Sequence, residues 1–112
     1  MTIEVCDGFV HVSHSRSARD MSEVEEVIEK IDAALDQCSQ RRLVFDSRRS
    51  DRTPDEIQVR LWNWLVASRP ERVATVVTSD MLAVSLKMTG LSKGVKLRAF
   101  DDEDTAARWV TK

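Results

Sequence analysis

The stretch that decides the fold is Arg42-Leu43-Val44-Phe45-Asp46, which is followed by a polar loop over residues 47–52 and by Thr53-Pro54-Asp55-Glu56. A short apolar run that ends in an acid and leads into a helix start, here with Thr53 as N-cap, is typical of a buried parallel strand. In an open α/β sheet, ligands and partners bind beyond the carboxyl ends of such strands. We therefore expect this strand to lie inside a sheet and to deliver its loop to the functional edge.

The composition is that of one folded domain, which we predict to span all 112 residues. Hydrophobic residues make up 42% of the chain, charged residues 32%, and the net charge is −2. This balance argues against a general binder of nucleic acid or of membrane surfaces, and no apolar run is long enough to span a bilayer. The two cysteines, Cys6 and Cys38, have no metal-site spacing. We therefore expect a cytoplasmic protein with free thiols and without a cofactor or metal.

The chain before this stretch encodes a hairpin and a helix. Asp7-Gly8 separates two short apolar segments, and an Asp-Gly pair suits the positive φ angles of a tight turn, which predicts an N-terminal β-hairpin. Ser22 with Glu25 has the pattern of a capping box, and an apolar stripe follows at helical spacing as far as Cys38. We predict a first helix that covers one face of the sheet and turns its acidic side to solvent.

The chain after this stretch alternates helices and strands. The second helix ends at Arg69-Pro70, because the residue before a proline disfavours helical geometry. A β-branched run over residues 72–78 predicts a central strand, and a third, short helix then runs to Met88 and is ended by Gly90. An outer strand over residues 95–100 and a last helix complete the order β-β-α-β-α-β-α-β-α. Right-handed crossovers then favour an α/β fold with a mixed, mostly parallel sheet of four to five strands and helices packed on it.

From about residue 22 onward, this sequence resembles the SpoIIAA-like group of STAS-related domains. The resemblance depends on Leu43-Val44-Phe45-Asp46, on the Trp-rich second helix before Arg69-Pro70, and on the run from Val95 to Asp102 before Ala106-Ala107-x-Trp109. It implies a bacterial cytoplasmic module that binds other proteins, in some members under phosphorylation control. The Asp-Ser-Ser-Gly phosphorylation motif of the anti-sigma-factor antagonists is absent, since the matching region reads Asp46-Ser47-Arg48-Arg49-Ser50.

The polar edge after the strands is the first candidate for a functional site. Arginine side chains and free helix N–H groups bind phosphate or carboxylate, and the hydroxyl groups are potential phosphorylation sites. The same residues also suit a second interpretation, in which they are helix caps and local Arg–Asp pairs. The candidate anion-binding or phospho-regulatory residues are Arg48, Arg49, Ser50, Arg52 and Thr53.

The outer side of the second and third helices is the second candidate. A stripe on the second helix falls opposite the one that faces the sheet, and the third helix is apolar almost all round. Tryptophan and methionine are enriched at the centres of protein interfaces. The alternative is that these two helices pack against each other and bury part of both stripes. The predicted partner-binding residues are Val59, Trp62, Val66, Met81, Val84 and Met88.

We therefore predict a non-enzymatic module that binds another protein in bacterial signalling or scaffolding, with a second copy of the chain as one candidate partner. The first alternative is a carrier of a small apolar ligand, since related folds include the CRAL-TRIO lipid carriers, with a cavity lined by Met81, Met88 and Trp64. An enzyme would need convergent titratable groups, which the sequence does not reveal. His11 and His14 face different ways on a strand and its loop, so they indicate no metal site.

Overall fold

The computed structural model describes residues 2–13, 18–48 and 53–112. They form one five-stranded mixed sheet, which is parallel apart from an N-terminal antiparallel hairpin, and four helices, as predicted. In the part of the chain that is described, no helix has the length and apolar character needed to cross a membrane. The strands are β1 (Thr2–Cys6), β2 (Phe9–Ser13), β3 (Arg42–Asp46), β4 (Arg72–Val76) and β5 (Leu97–Phe100), and the helices are α1 (Met21–Asp36), α2 (Asp55–Ser68), α3 (Asp80–Lys93) and α4 (Glu103–Val110).

The sheet order is β1-β2-β3-β4-β5, so β3 lies at its centre with parallel neighbours on both sides. Its side chains alternate between two cores. Leu43 is fully buried in the core that contains α1 and α2, whereas Val44 is buried on the opposite face with Ala106 and Val110 of α4. The prediction of a buried central strand is confirmed, and its polar end at Asp46 points to the edge where α4 begins.

The first two helices begin at positions that differ from the prediction. Asp20 caps α1, because its side-chain Oδ1 accepts a hydrogen bond from the amide of Glu23 at 2.8 Å. Pro54 occupies the N-cap position of α2 and makes no side-chain cap hydrogen bond. The predicted capping box that starts at Ser22 and the predicted cap at Thr53 are therefore both wrong.

α3 is longer than predicted, because Gly90 lies inside the helix and does not end it. The helix continues to Lys93 and ends at Gly94, whose φ of 73° lies in the left-handed region. A methyl group at Gly90 would lie only 3.2 Å from Leu97 Cβ and 3.4 Å from the Val95 carbonyl oxygen. Gly90 thus allows α3 to pack closely against the start of β5, which begins at Leu97 instead of Val95.

We expect Gly94→Ala to lower the free energy of unfolding by about 1 kcal/mol, because alanine is sterically strained in the left-handed conformation. Nothing lies within 4 Å of a methyl group added at Gly94, so the loss would come from the backbone alone. Urea denaturation measures the change. Lys87→Ala, at an exposed position of the same helix, is the control and should change stability by less than about 0.5 kcal/mol. Equal stability of Gly94→Ala and wild type would show that α3 does not depend on this cap.

Candidate functional site

Four side chains form a connected polar group that extends from the middle of β2 past the carboxyl end of β3 to the first turn of α4. Asp46 accepts two hydrogen bonds from the Arg48 guanidinium, at 3.0 Å to Oδ1 and 2.9 Å to Oδ2. Arg48 Nη2 also lies 3.4 Å from Glu103 Oε1, and the same oxygen lies 3.0 Å from Nε2 of His11. We call His11, Asp46, Arg48 and Glu103 the strand-end cluster.

The backbone brings these residues together from three elements. Parallel pairing of β2 with β3 sets His11 beside Val44 and places Asp46 beside the last residue of β2. Asp102 caps α4 by accepting the amide hydrogen of Thr105 at 2.8 Å, which fixes the direction of the first turn. Glu103 stands in that turn, where the helix dipole favours a carboxylate. It can therefore reach both His11 and Arg48.

Charge pairing dominates the electrostatics of the strand-end cluster. The Arg48 side chain, by its hydrogen bonds to Asp46, holds the pKa of that carboxyl far below its usual range. The Arg48 backbone amide also donates to Asp46, at 3.2 Å, and the carboxylate in turn raises the pKa of Arg48. Because two carboxylates already engage the Arg48 guanidinium, this arrangement favours the local-pair interpretation at Arg48 over the binding of an external anion.

Of the other residues in the predicted anion site, the structure describes Thr53 alone. Arg49, Ser50 and Arg52 lie outside the described residues, so anion binding or phosphorylation at these positions remains a prediction. Thr53 is half-buried, and its backbone carbonyl accepts a hydrogen bond from Gln58 Nε2 at 2.9 Å. His14 is also outside the described ranges.

The His11–Glu103 contact was missed by sequence reasoning, because 92 residues separate its partners. The only signal was the alternation of β2, which places His11 on the same side of the strand as Phe9. That side packs against the core beneath α4. Over residues 2–13, 18–48 and 53–112, no group of three or more His, Cys, Asp or Glu side chains is placed to hold a metal ion. The strand-end cluster links β2, β3 and α4 through its side-chain hydrogen bonds and ion pairs.

The outer sides of α2 and α3 carry most of the predicted partner-binding residues. Met81, Val84 and Met88 are 85%, 58% and 66% exposed, and Leu91 continues the same row at 72%. At about 100° per residue, these four side chains fall on the side of α3 opposite Gly90, which faces the sheet. Val59 and Val66 are exposed on α2. We call Val59, Val66, Met81, Val84, Met88 and Leu91 the apolar helix surface.

Trp62 occupies a different environment from the other predicted partner-binding residues. It is half-buried and packs against the core, and its Cη2 lies 3.9 Å from a methyl group placed at Gly90. Trp62 therefore fills the space between α2, α3 and the sheet, as the alternative of mutual helix packing expects. The remaining five residues are exposed, and their role in partner binding remains a prediction.

The three residues proposed to line an apolar ligand cavity do not meet around one enclosed space. Trp64 is buried, and its Nε1–H donates to Asp32 Oδ1 at 3.0 Å. Met81 and Met88 point into solvent on α3. These three residues therefore do not form the apolar cavity that a lipid-carrier function would need.

Comparison with solved structures identifies the fold. A protein from Shewanella loihica PV-4, described as an uncharacterized protein from the DUF3478 family with a SpoIIAA-like fold, matches with a TM-score of 0.78 and 13% identity. The match covers 97% of this chain and 90% of that one. The fold is SpoIIAA-like. No protein-family model and no curated protein matches the sequence, and at this identity the SpoIIAA-like structure is informative for the fold alone.

Proposed function

We propose that this protein is a non-catalytic cytoplasmic module that binds another protein through the apolar helix surface. The observation that carries the proposal is the row Met81, Val84, Met88 and Leu91, each of which is more than half exposed. Apolar surface gains roughly 25 cal/mol for each Å² that is removed from water, and contiguous exposed apolar patches mark interaction sites. Methionine suits such a surface because its unbranched side chain adapts to the shape of a partner.

The SpoIIAA-like fold supports this proposal through what the sequence resemblance implies. Modules of that group bind other proteins in bacterial signalling or scaffolding. The strand-end cluster adds to the argument, because its Arg48 and Asp46 side chains satisfy each other and leave little to offer an external ligand. The outer sides of α2 and α3 are thus the surface with most to gain from a partner.

The double substitution Val84→Ser with Met88→Ser should weaken partner binding by at least about tenfold. Burying one such side chain contributes roughly 1.5–3 kcal/mol, and a tenfold change in affinity corresponds to about 1.4 kcal/mol. Both side chains are exposed in the isolated protein, so we expect each substitution to change the free energy of unfolding by no more than about 0.5 kcal/mol.

Met21→Ser is the matched control, because Met21 is an exposed methionine at the start of α1, outside the apolar helix surface. Affinity capture from the cells of origin, followed by calorimetric titration of the captured protein, compares the affinities of the three forms. Sedimentation velocity tests whether the partner is a second copy of the chain. Equal affinities and one common oligomeric state for wild type, control and double variant would show that the proposal is wrong.

A further inference from the structure

We propose that the protein also binds a small organic anion, in an open pocket at the far end of α4 from the strand-end cluster. The pocket has a volume of about 440 Å³ and lies between the end of α3, the start of β5 and the end of α4. This volume is within the range of small-ligand sites, about 300–1,000 Å³. It is at the amino ends of β4 and β5, away from the edge where the sequence predicts a site.

Three cations lie at or beside this pocket. The guanidinium carbon of Arg72 lies 5.3 Å from the centroid of the Trp109 ring, and that of Arg98 lies 5.9 Å from the same ring. Lys96 lines the pocket with Arg72. Within the described ranges, none of these three cations has a carboxylate at ion-pair distance.

Three cations cluster at this end of β4 and β5, since Arg72 and Arg98 contact one ring and Lys96 lines the pocket with Arg72. Two guanidinium groups near one ring raise the positive potential at this end of α4, which favours an anion bound at Arg72. Arg72 is also held in place, because its Nη1 donates to the backbone carbonyl oxygen of Trp109 while the guanidinium lies over the indole. Its remaining N–H groups are therefore preorganised for an oxyanion, which guanidinium binds through paired hydrogen bonds.

The apolar side chains of the pocket indicate the chemistry of the part of the ligand that does not contact the cations. Leu91, Leu97 and the Trp109 ring line the pocket beside the cations. The ligand that fits is a small organic acid with a carboxylate or phosphate head on Arg72 and Lys96 and an apolar or aromatic body against these side chains. Leu91 also belongs to the apolar helix surface, whereas Val84 and Met88 do not line the pocket. The anion site and the protein-binding proposal are therefore tested by different substitutions.

The test is an NMR titration of the ¹⁵N-labelled protein with phenylacetate and phenyl phosphate, with 2-phenylethanol as the neutral analogue. We expect saturable shifts at the amides of Gly94, Val95 and Lys96 and at the Trp109 indole N–H, with a dissociation constant at or below about 1 mM for at least one anion. The tighter of the two anions identifies the preferred head group. Affinity for 2-phenylethanol should be at least about tenfold weaker, because it leaves the cations unpaired.

Two substitutions and one control complete the test. Lys96→Gln, at an exposed position that has no ion pair among the described residues, should weaken anion binding by about three- to tenfold without changing stability. Arg72→Gln should weaken it by at least about tenfold, and because Arg72 also contacts Trp109, the Lys96 variant decides the outcome if Arg72→Gln does not fold. Lys30→Gln on α1 should bind as wild type does. No saturable shift up to about 10 mM, equal binding of the neutral analogue, or wild-type affinity in Lys96→Gln would overturn the proposal.

Discussion

Leu43→Ala should lower the free energy of unfolding by about 3 kcal/mol, which is a large share of the total stability of a domain of this size. Leu43 is fully buried in the central strand β3, in the core that includes side chains from β2, β4, α1 and α2. Truncation removes the transfer free energy of the side chain and leaves a cavity that a sheet paired on both sides cannot close.

Urea denaturation of purified wild type and variant measures this loss. The control is Val5→Ala on the edge strand β1, where the side chain is 48% exposed, and its effect should stay below about 0.5 kcal/mol. The denaturant slope should be the same for all three proteins, since the surface exposed on unfolding hardly changes. A loss for Leu43→Ala no greater than that for Val5→Ala would contradict the central position of β3.

β3 shows why much of the fold was predictable from the sequence. A continuous apolar run is compatible with a strand only if both faces are covered, and Leu43 and Val44 are indeed buried in two different cores. The hairpin was equally predictable, although only Gly8 takes a positive φ, of 87°, whereas a type I′ turn needs one at Asp7 as well. Both signals depend on neighbouring residues alone, and the SpoIIAA-like architecture follows from the order in which such segments occur.

The ends of the helices were less predictable, because competing local signals are decided by tertiary contacts. Asp20 and Ser22 are both good N-caps, and Asp20 is the one whose carboxylate accepts the amide hydrogen of Glu23. Glycine commonly ends a helix, yet Gly90 serves close packing because Leu97 lies against it. Gly94, four residues later, takes the left-handed conformation instead. No local pattern distinguishes the two glycines.

The candidate sites also contain some features that the sequence predicts and others that it does not. The exposed positions on α3 were predictable because apolar residues surround this helix almost completely, so that some of them, such as Met81 and Met88, must face away from the sheet. The contact of His11 with Glu103 was not, because it depends on the direction in which α4 crosses the sheet. The same direction brings Trp109 against Arg72 at the opposite end of the helix. Residues this far apart in sequence share no spacing that could predict their contact.

Asp46→Asn should lower the free energy of unfolding by about 1.5 kcal/mol at pH 7, and by less at pH 3. The value is at the lower end for a hydrogen bond to a charged group, because the Arg48 side chain is 38% exposed and solvent screens the pair. Arg48 holds the pKa of Asp46 below its ordinary value in the folded protein. The carboxylate therefore stabilises the fold fully above the ordinary aspartate pKa of about 3.9, and this contribution is lost as the pH falls toward the depressed folded value.

Urea denaturation of wild type and Asp46→Asn between pH 7 and about pH 3 measures this dependence. The difference in stability should be constant above about pH 5 and should begin to shrink below about pH 4, where Asp46 becomes protonated in the unfolded chain while Arg48 still keeps it ionised in the folded protein. Arg48→Gln should remove the same pH-dependent part, because it removes the group that lowers the pKa of Asp46. Asp7→Asn, in the exposed hairpin turn, is the control and should follow wild type. A difference that persists unchanged at pH 3 would mean that Asp46 stabilises the strand-end cluster by packing and geometry, not by its charge.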